Sequence, residues 1–345
     1  MTADQDLKQG IIDRGFTVRQ ADRIAGLTDR IDPRSVGVAS ITFFPGFDLS
    51  KGTGVIDNHR GLAAEQLFST AVKMGHPVVV TDGGSSVEFQ HMLTDTGATI
   101  VHPEPGVRST MAADRRVAYK VLLGNRDVQV VTWIEANKPE TVEFNGHLVM
   151  AAPILNSYPA PDGRMIPPYD VVIANRNAIG MASLPTVQMV FETRAGKAME
   201  SILIKEGLLG RGSDDLPIYT PRKMDFFNGQ RSFSRSAAEH FLARWVYTPD
   251  INDPKDRNID PERWSNGLQL PVASALWAGL KVTSVDIPYL HGQGQKDLET
   301  GNGEFDAKRK AQAVDQIRTL LEFLKFKRGV NSKLSLSPAS SLVSF

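Results

Sequence analysis

The chain of 345 residues contains no cysteine. Disulfides, thiolate nucleophiles and cysteine-ligated zinc are therefore excluded. It also lacks a surplus of either charge: 39 Lys+Arg stand against 39 Asp+Glu, for a formal net charge of +0. A general nucleic-acid binder needs a basic surplus against phosphates, so that class is disfavoured. A local basic pocket for one phosphorylated ligand remains compatible with the balance. No apolar run approaches the ~20 residues of a membrane-spanning helix. The first ten residues, "MTADQDLKQG", are acidic and polar, so no signal peptide is expected and a cytosolic location is. Several enzyme fingerprints are missing as well. GxxxxGK[ST], GxSxG and HExxH do not occur, and "GTG" at 52–54 does not continue into GxGxxG.

What is present is an ordinary globular composition, 41% hydrophobic and 23% charged. Residues 5–31 read as helical, from Leu7, Ile11 and Ile12 and then Ala21, Ile24, Ala25 and Leu27. Strands are expected at "VGVASITFF" (36–44), "PVVVT" (77–81), "ATIVH" (98–102) and "VQVVTWIE" (128–135). Helices are expected between them at 61–75, 87–97 and 108–124. Apolar strands alternating with helices predict an α/β, Rossmann-like, mostly parallel sheet covered on both faces. Ligands of such sheets sit beyond the carboxyl ends of the strands. Past residue 140, "HLVMAAPIL" and "YDVVIANR" read as strands, 184–204 and 234–246 as helices, and 268–280 as a buried helix. A final strand is expected at 281–290 and a charged amphipathic helix at 305–326.

Four strand tips then carry the chemistry: Phe44-Pro45-Gly46, Asp82-Gly83-Gly84-Ser85, His102 to Gly106, and Glu135-Ala136-Asn137-Lys138. A carboxylate at a tip can accept hydrogen bonds from a base or a ribose. Acid and amide oxygens on one short turn can hold a hard divalent cation.

In "VVVTDGGSS" (78–86) the chain resembles the second strand of GT-A-type, family-2-like glycosyltransferases, where V-V-D-[DG]-G-S-[ST] is common. The likeness continues in order. "ITFFPG" stands at the nucleotide base pocket, and "PGVRSTMAADRRVAYKVLL" at a Gly-rich segment with a basic helix. "VTWIEANKP" stands at the DxD metal motif and "MDFFNGQRSFSRSAAEHFL" at the acceptor segment. "WSNGLQLPVASALWAGLKVTSVDIPYLHG" is similar to the C-terminal part of transferases for small polar acceptors such as phosphoglycerate, where a strand ends near a metal-binding His. The likeness spans roughly residues 36 to 320. Two positions depart from it. The DxD position reads Glu135-Ala136-Asn137, with one carboxylate, and Asn266 stands where an acid is common. Asn266 cannot serve as the base of an inverting reaction. That favours a retaining course, in which the donor's phosphate takes the acceptor proton.

Apolar spacing gives an N-terminal helical cap (1–33), and the Ser-rich tail (331–345) reads as disordered; between them the resemblance implies a GT-A-like fold with a nucleotide-binding half (34–140) and an acceptor-binding and C-terminal half of the same domain (141–330). It implies a nucleotide-diphosphate sugar as donor, Mn²⁺ or Mg²⁺ as cofactor, and a hydroxyl acceptor. Phe44, Pro45, Gly46, Asp82 and Gly83 would meet the nucleotide. Asp82 could equally be a turn acid that caps the next helix. Arg115 and Arg116, with Arg108, offer forks for the diphosphate, or an exposed helix face. Glu135, Asn137 and His291 are the candidate metal ligands, imidazole suiting Mn²⁺ better; otherwise they are loop and turn residues. Gln293, Gln295 and Lys296 would line a closing loop. Asp225 and Arg231 are the catalytic candidates, next to a lid read at 210–215. Arg176, Gly229 and Gln230 are acceptor candidates, with a buried ion pair as the alternative for Arg176. The oligomeric state is left open, a homodimer included. Two rival readings remain: a catalytically degenerate GT-A-like binding or scaffold protein, and, last, a nucleotidyltransferase. The Gly-containing "FFPGFDLSKGTG" has Lys51 but lacks the Arg that a nucleotidyltransferase usually carries there.

Overall fold

The computed structural model describes residues 2–52, 54–104, 110–159, 165–209, 224–250, 252, 259–263 and 266–337. The segment read as a lid and Arg108 lie outside these residues.

Two helices open the chain, α1 (Ala3–Asp13) and α2 (Val18–Ala25). Each starts with a reciprocal capping box, Thr2 with Gln5 and Thr17 with Gln20, which satisfies N–H groups that have no partner within the helix. Ile11, Ile24 and Leu27 pack into a core cluster with Leu148, Val149 and Val285. The helices therefore form the expected cap on one face of the sheet.

Alternation follows as expected: β1 (Val36–Thr42), α3 (Ile56–Lys73), β2 (Val78–Asp82), α4 (Val87–Asp95), β3 (Thr99–Val101), α5 (Met111–Gly124) and β4 (Val130–Trp133). Next come α6 (Glu140–Glu143), α7 (Gly146–Leu155), the small ribbon β5 (Tyr158–Pro159) with β6 (Met165–Ile166), then β7 (Val171–Arg176), α8 (Ala178–Ala182) and α9 (Thr186–Lys205). The chain closes with β8 (Arg231–Ser234), α10 (Ala238–Leu242), β9 (Trp245–Tyr247), α11 (Asn266–Trp277), β10 (Val282–Ile287), α12 (Gln293–Glu299), α13 (Gly303–Lys327) and β11 (Leu334–Leu336). Among the described residues no helix is long and apolar enough to cross a membrane.

The main sheet has the order β10-β7-β8-β4-β1-β2-β3. All its neighbours are parallel except β8, which runs antiparallel to β4 and β7. Antiparallel entry is what matters for function. It puts the start of β8 opposite the carboxyl end of β4, with Arg231 across from Trp133.

Three expectations change. Residues 146–155 are helix α7, not a strand. Every residue from Gly146 to Ile154 is buried, and an apolar run that is buried all round carries no period to separate helix from strand. The helix expected at 234–246 breaks into short α10 and strand β9. Part of the expected disordered tail is ordered: β11 pairs antiparallel with β9, and Leu334 is buried in the core.

Candidate functional site

The β1 and β2 tips form one turn-lined wall. Asp82, only 1% exposed, is consumed by its own turn. Its Oδ1 accepts from the Thr42 hydroxyl at 2.9 Å and the Ser85 hydroxyl at 2.5 Å. Its Oδ2 accepts from the Gly84 amide (3.3 Å), the Ser85 amide (3.1 Å) and Gln90 Nε2 (3.3 Å). The carboxylate thus builds the turn rather than reaching outward, a correction to its expected role against a nucleotide. Gly84 at φ 110 allows that turn. Phe44 is a second correction. At 7% exposure it packs edge-on against Phe89, with ring centroids 4.9 Å apart. The aromatic that the tip presents is Phe43, 62% exposed. Side-chain alternation at a strand end separates the two. Pro45 and Gly46 are exposed, and the Gly46 amide donates to Asp57 at 2.8 Å. Gly83 is half-buried beside them, its amide donating to the Thr42 carbonyl at 2.9 Å.

The β4 and β8 tips bring together residues from distant segments. A Cβ on Gly229 would fall 2.0 Å from Glu135 Oε1, so the glycine is what lets the carboxylate occupy its place. Around Glu135 stand three buried cations. Arg115 lies with its guanidinium 4.7 Å from the Trp133 ring centroid. Burial pushes its pKa down to about 10 against the pull of Tyr119 and Glu135. Arg231 donates to the carbonyls of Asn228, Gln230 and Phe226. Burial takes it too to about 10, with Asp225 and Glu135 opposing. Lys138 sits 3.0 Å from Gln295 Oε1 and 3.4 Å from His291 Nδ1. Burial works against its charge, but Tyr289, Glu140 and Glu135 outweigh it and raise its pKa. All three stay cationic at neutral pH. Arg116 does not join them, because Glu262 engages both of its terminal nitrogens.

Two of the three expected metal ligands, Asn137 and His291, join one network through Gln295 and Lys138 and are already occupied. Asn137 Nδ2 donates to Gln295 Oε1 at 2.9 Å. His291 faces Glu299 through Nε2 at 3.1 Å, and faces Lys138 and the Tyr289 hydroxyl through Nδ1. Burial lowers its pKa, with Glu299 opposing. Gln295 in turn donates to Glu299 at 2.7 Å, and Arg60 approaches Glu299 at 3.5 Å. Among the described residues no group of three or more carboxylate, imidazole or thiol side chains is arranged to hold a metal ion. Glu135 and the Asn137 side-chain oxygen could supply two donors. That does not fit a cation held by the protein alone. Gln295 belongs to this network as expected, whereas Gln293 turns away to Asp297.

Beside the β7 and β10 tips lies a cavity of about 520 Å³, closed by α8 and α9. Arg176 lines it and takes the ion-pair alternative. Its Nε and Nη2 donate to Asp225 at 2.5 and 2.7 Å, and Nη2 is 2.8 Å from Glu192. Asp225 also accepts from the amides of Phe227 (3.2 Å) and Asn228 (3.1 Å). Burial opposes its charge, but Arg176 prevails and holds its pKa low. A carboxylate so held is a weak proton acceptor. Asp225 and Arg231, expected to be catalytic, thus brace the two ends of the 225–231 turn. Gln230 is buried, and its carbonyl accepts from Ala174 at 3.2 Å. Asn266 anchors the start of α11 through Asp260 and Asp315. The residue that sequence reasoning missed is Asp286, on the cavity wall, pushed up to about 6 by burial against a hydrogen bond from Asn175. An acid near the end of an apolar strand, "VTSVDI", was the available signal.

No family model matches the sequence, and no curated protein matches it either. Solved structures do match. The chain is similar to glucosyl-3-phosphoglycerate synthase from Mycobacterium tuberculosis in complex with Mn²⁺, uridine-diphosphate-glucose and phosphoglyceric acid. There the TM-score is 0.51 at 13% identity, over 95% of this chain and 93% of that one. This chain has a GT-A-like fold. Other structures of the same enzyme overlay less closely. One without stated ligands has a TM-score of 0.48 at 12% identity, covering 92% of this chain and 87% of that one. One with Mg²⁺ and uridine-diphosphate has 0.46 at 11%, covering 92% and 85%. At such identities the likeness is one of fold, and the site has to be argued from the side chains of the GT-A-like sheet itself.

Proposed function

We propose that the protein is a nucleotide-sugar-dependent glycosyltransferase. The observation that carries the reading is the meeting of Arg115, Lys138 and Arg231 around Glu135 at the carboxyl edge of a GT-A-like sheet. Preorganised cations at a strand edge suit the charge that develops on a departing diphosphate. The base would lie over the β1 and β2 tips, against Phe43 and Gly83. The acceptor would enter the neighbouring cavity, which would place its hydroxyl beside the donor sugar. In the similar enzyme Mn²⁺ or Mg²⁺ accompanies the uridine nucleotide. Here Glu135 and Asn137 would meet a cation that arrives with the donor, the diphosphate supplying the other oxygens. Apoprotein should accordingly bind little Mn²⁺ until UDP is added.

The engagement of Asp225 and Asn266 supports a retaining course. Asp225 is held ionised by Arg176, and Asn266 is tied to Asp315. One observation favours an inverting course: Asp286 lines the cavity with a pKa near 6, suited to a general base. Proton NMR of the product anomer decides between them. The glycosyltransferase reading itself is tested by calorimetric titration with UDP and GDP, with and without Mn²⁺, followed by a turnover assay on sugar nucleotides. No binding at millimolar nucleotide sinks it. Binding without any hydrolysis or transfer would favour the degenerate, binding-only reading.

A further inference from the structure

The cavity beside β7 and β10 keeps its buried polar groups occupied. Arg176 is shared between Asp225 and Glu192. Glu192 also accepts from Gln188 Nε2 at 2.7 Å, and Arg309 approaches it to 3.8 Å. Asn177 donates to the Arg14 carbonyl at 2.6 Å and accepts from the Gly180 amide at 2.9 Å. Asn175 accepts from the Asp225 amide at 2.7 Å and hydrogen-bonds Asp286. Glu200 has a partner as well. Thr193 and Lys197 are exposed on α9, in contact with solvent. A hydroxyl group carried into this cavity would give up water and find these partners taken, which costs free energy.

What the wall leaves uncommitted is apolar. Met181 from α8, Met189 from α9 and Met224, just before the 225–231 turn, all line the cavity, as do Ala178 and Gly196. Three thioether side chains from three separate segments make an adaptable surface for C–H groups. Burial pushes Asp286 up to about 6, as expected of a wall that solvates charge poorly. At about 520 Å³ the volume is that of a small-molecule site.

We propose that this cavity takes an aliphatic group, and that the acceptor is an alcohol with a short alkyl chain rather than a polyol. The acceptor role rests on the glycosyltransferase reading. It sets this chain apart from the similar enzyme, which is complexed with phosphoglyceric acid.

Gly196 and Met189 provide the test. Gly196 lines the cavity, and a Cβ added there has nothing within 4 Å, so Gly196→Leu extends into open space. It sits inside α9, where leucine is the better helix former, so the fold is preserved. Met189→Gln keeps the length of the side chain and its helix propensity but makes that part of the wall polar. Matched probes are 1-butanol, 1-pentanol and 1-hexanol against erythritol, xylitol and sorbitol, the polyols with the same carbon skeletons. Saturation-transfer NMR with UDP present reads their binding, and calorimetry reads UDP on the same samples. Affinity for the alkanols should rise by up to about fourfold with each added methylene, and 1-hexanol should bind about tenfold or more tighter than sorbitol. Gly196→Leu should remove the alkanol signal while leaving UDP affinity unchanged, and Met189→Gln should flatten the rise with chain length. A polyol that binds tighter than its alkanol overturns the proposal. So does alkanol affinity that is flat with chain length in the wild type, or the absence of any probe signal that Gly196→Leu removes. If UDP still binds in that event, only this proposal falls; if UDP fails as well, the glycosyltransferase reading falls with it.

Discussion

The β4–β8 tip and the β7–β10 cavity lie along one edge of one sheet, yet they treat a buried arginine in opposite ways. Arg231 spends its donors on the carbonyls of Phe226, Asn228 and Gln230, which satisfy hydrogen bonds without cancelling charge. Arg176 spends its donors on Asp225 and Glu192, which cancel its charge. Burial alone therefore does not tell which ligand a site attracts. The partner of each buried cation does: carbonyl partners leave positive charge for an anion, and carboxylate partners remove it.

The contrast can be broken most forcefully at Arg176. Arg176→Met strands two buried carboxylates and should cost about 3–5 kcal/mol of stability, read as a fall in the midpoint of denaturant unfolding. On the cationic side, Gly229→Ala drives a methyl group into Glu135 and should displace it from the cations. Catalytic efficiency should drop by up to ~100-fold for a displacement of about 1 Å. An unchanged kcat/KM would mean that Glu135 has no part in the reaction. Asp286→Asn discriminates between the two courses. A retaining enzyme should keep kcat within about tenfold, whereas loss of a general base should cost ~10²-fold or more.

The smallest expected effect is a pH dependence seated away from both sites. His76 and His147 face each other through Nε2 at 2.9 Å, and burial lowers both pKa values, that of His147 well below 6.5. The unfolded chain therefore takes up protons first as the pH falls below about 6.5. Stability should be flat above that point and decline below it. Asp286 and Asp315, raised to about 6 by burial, act with the opposite sign: protonation favours the folded state as the pH falls from about 6 towards 3.8. Unfolding curves between pH 7 and 5 for an Asp286→Asn, Asp315→Asn double variant should show the summed histidine slope, to which His240 and His291, also lowered by burial, add with the same sign, and against which the raised Glu140 and Glu192 act. A flat profile there would contradict it.

Local patterning carried the alternating half of the fold. Each of β1, β2 and β4 lies in a largely apolar run separated from the next by a helical segment, and such runs declare parallel strands without tertiary information. Elements whose character comes from their surroundings were hidden. β8 has one apolar residue in four and is a strand because β4 and β7 flank it. α12 reads as a glycine-rich loop in sequence, yet it buries Gln295 and Glu299 against Lys138 and His291. At the sites, Glu135 was recognisable at a strand tip, Arg115 on a basic helix and Gly229 in a segment ahead of a helix. The occupation of Asp82 by its own turn, and of Arg176 by two acids, is a matter of three-dimensional pairing that no spacing in the chain encodes.

Lys138 gives the most direct measurement, because it is the cation that reaches across from β4 to the His291 network. Lys138→Met keeps a long apolar stem in place of a buried ammonium. UDP and GDP titrated calorimetrically into the wild type and this variant should show a loss of about tenfold or more in affinity, the scale of one charge-assisted hydrogen bond. Gly196→Leu, in the cavity, should show none. Equal nucleotide affinity in the wild type and Lys138→Met, or loss in Gly196→Leu instead, would contradict the assignment of the diphosphate to the cationic tip.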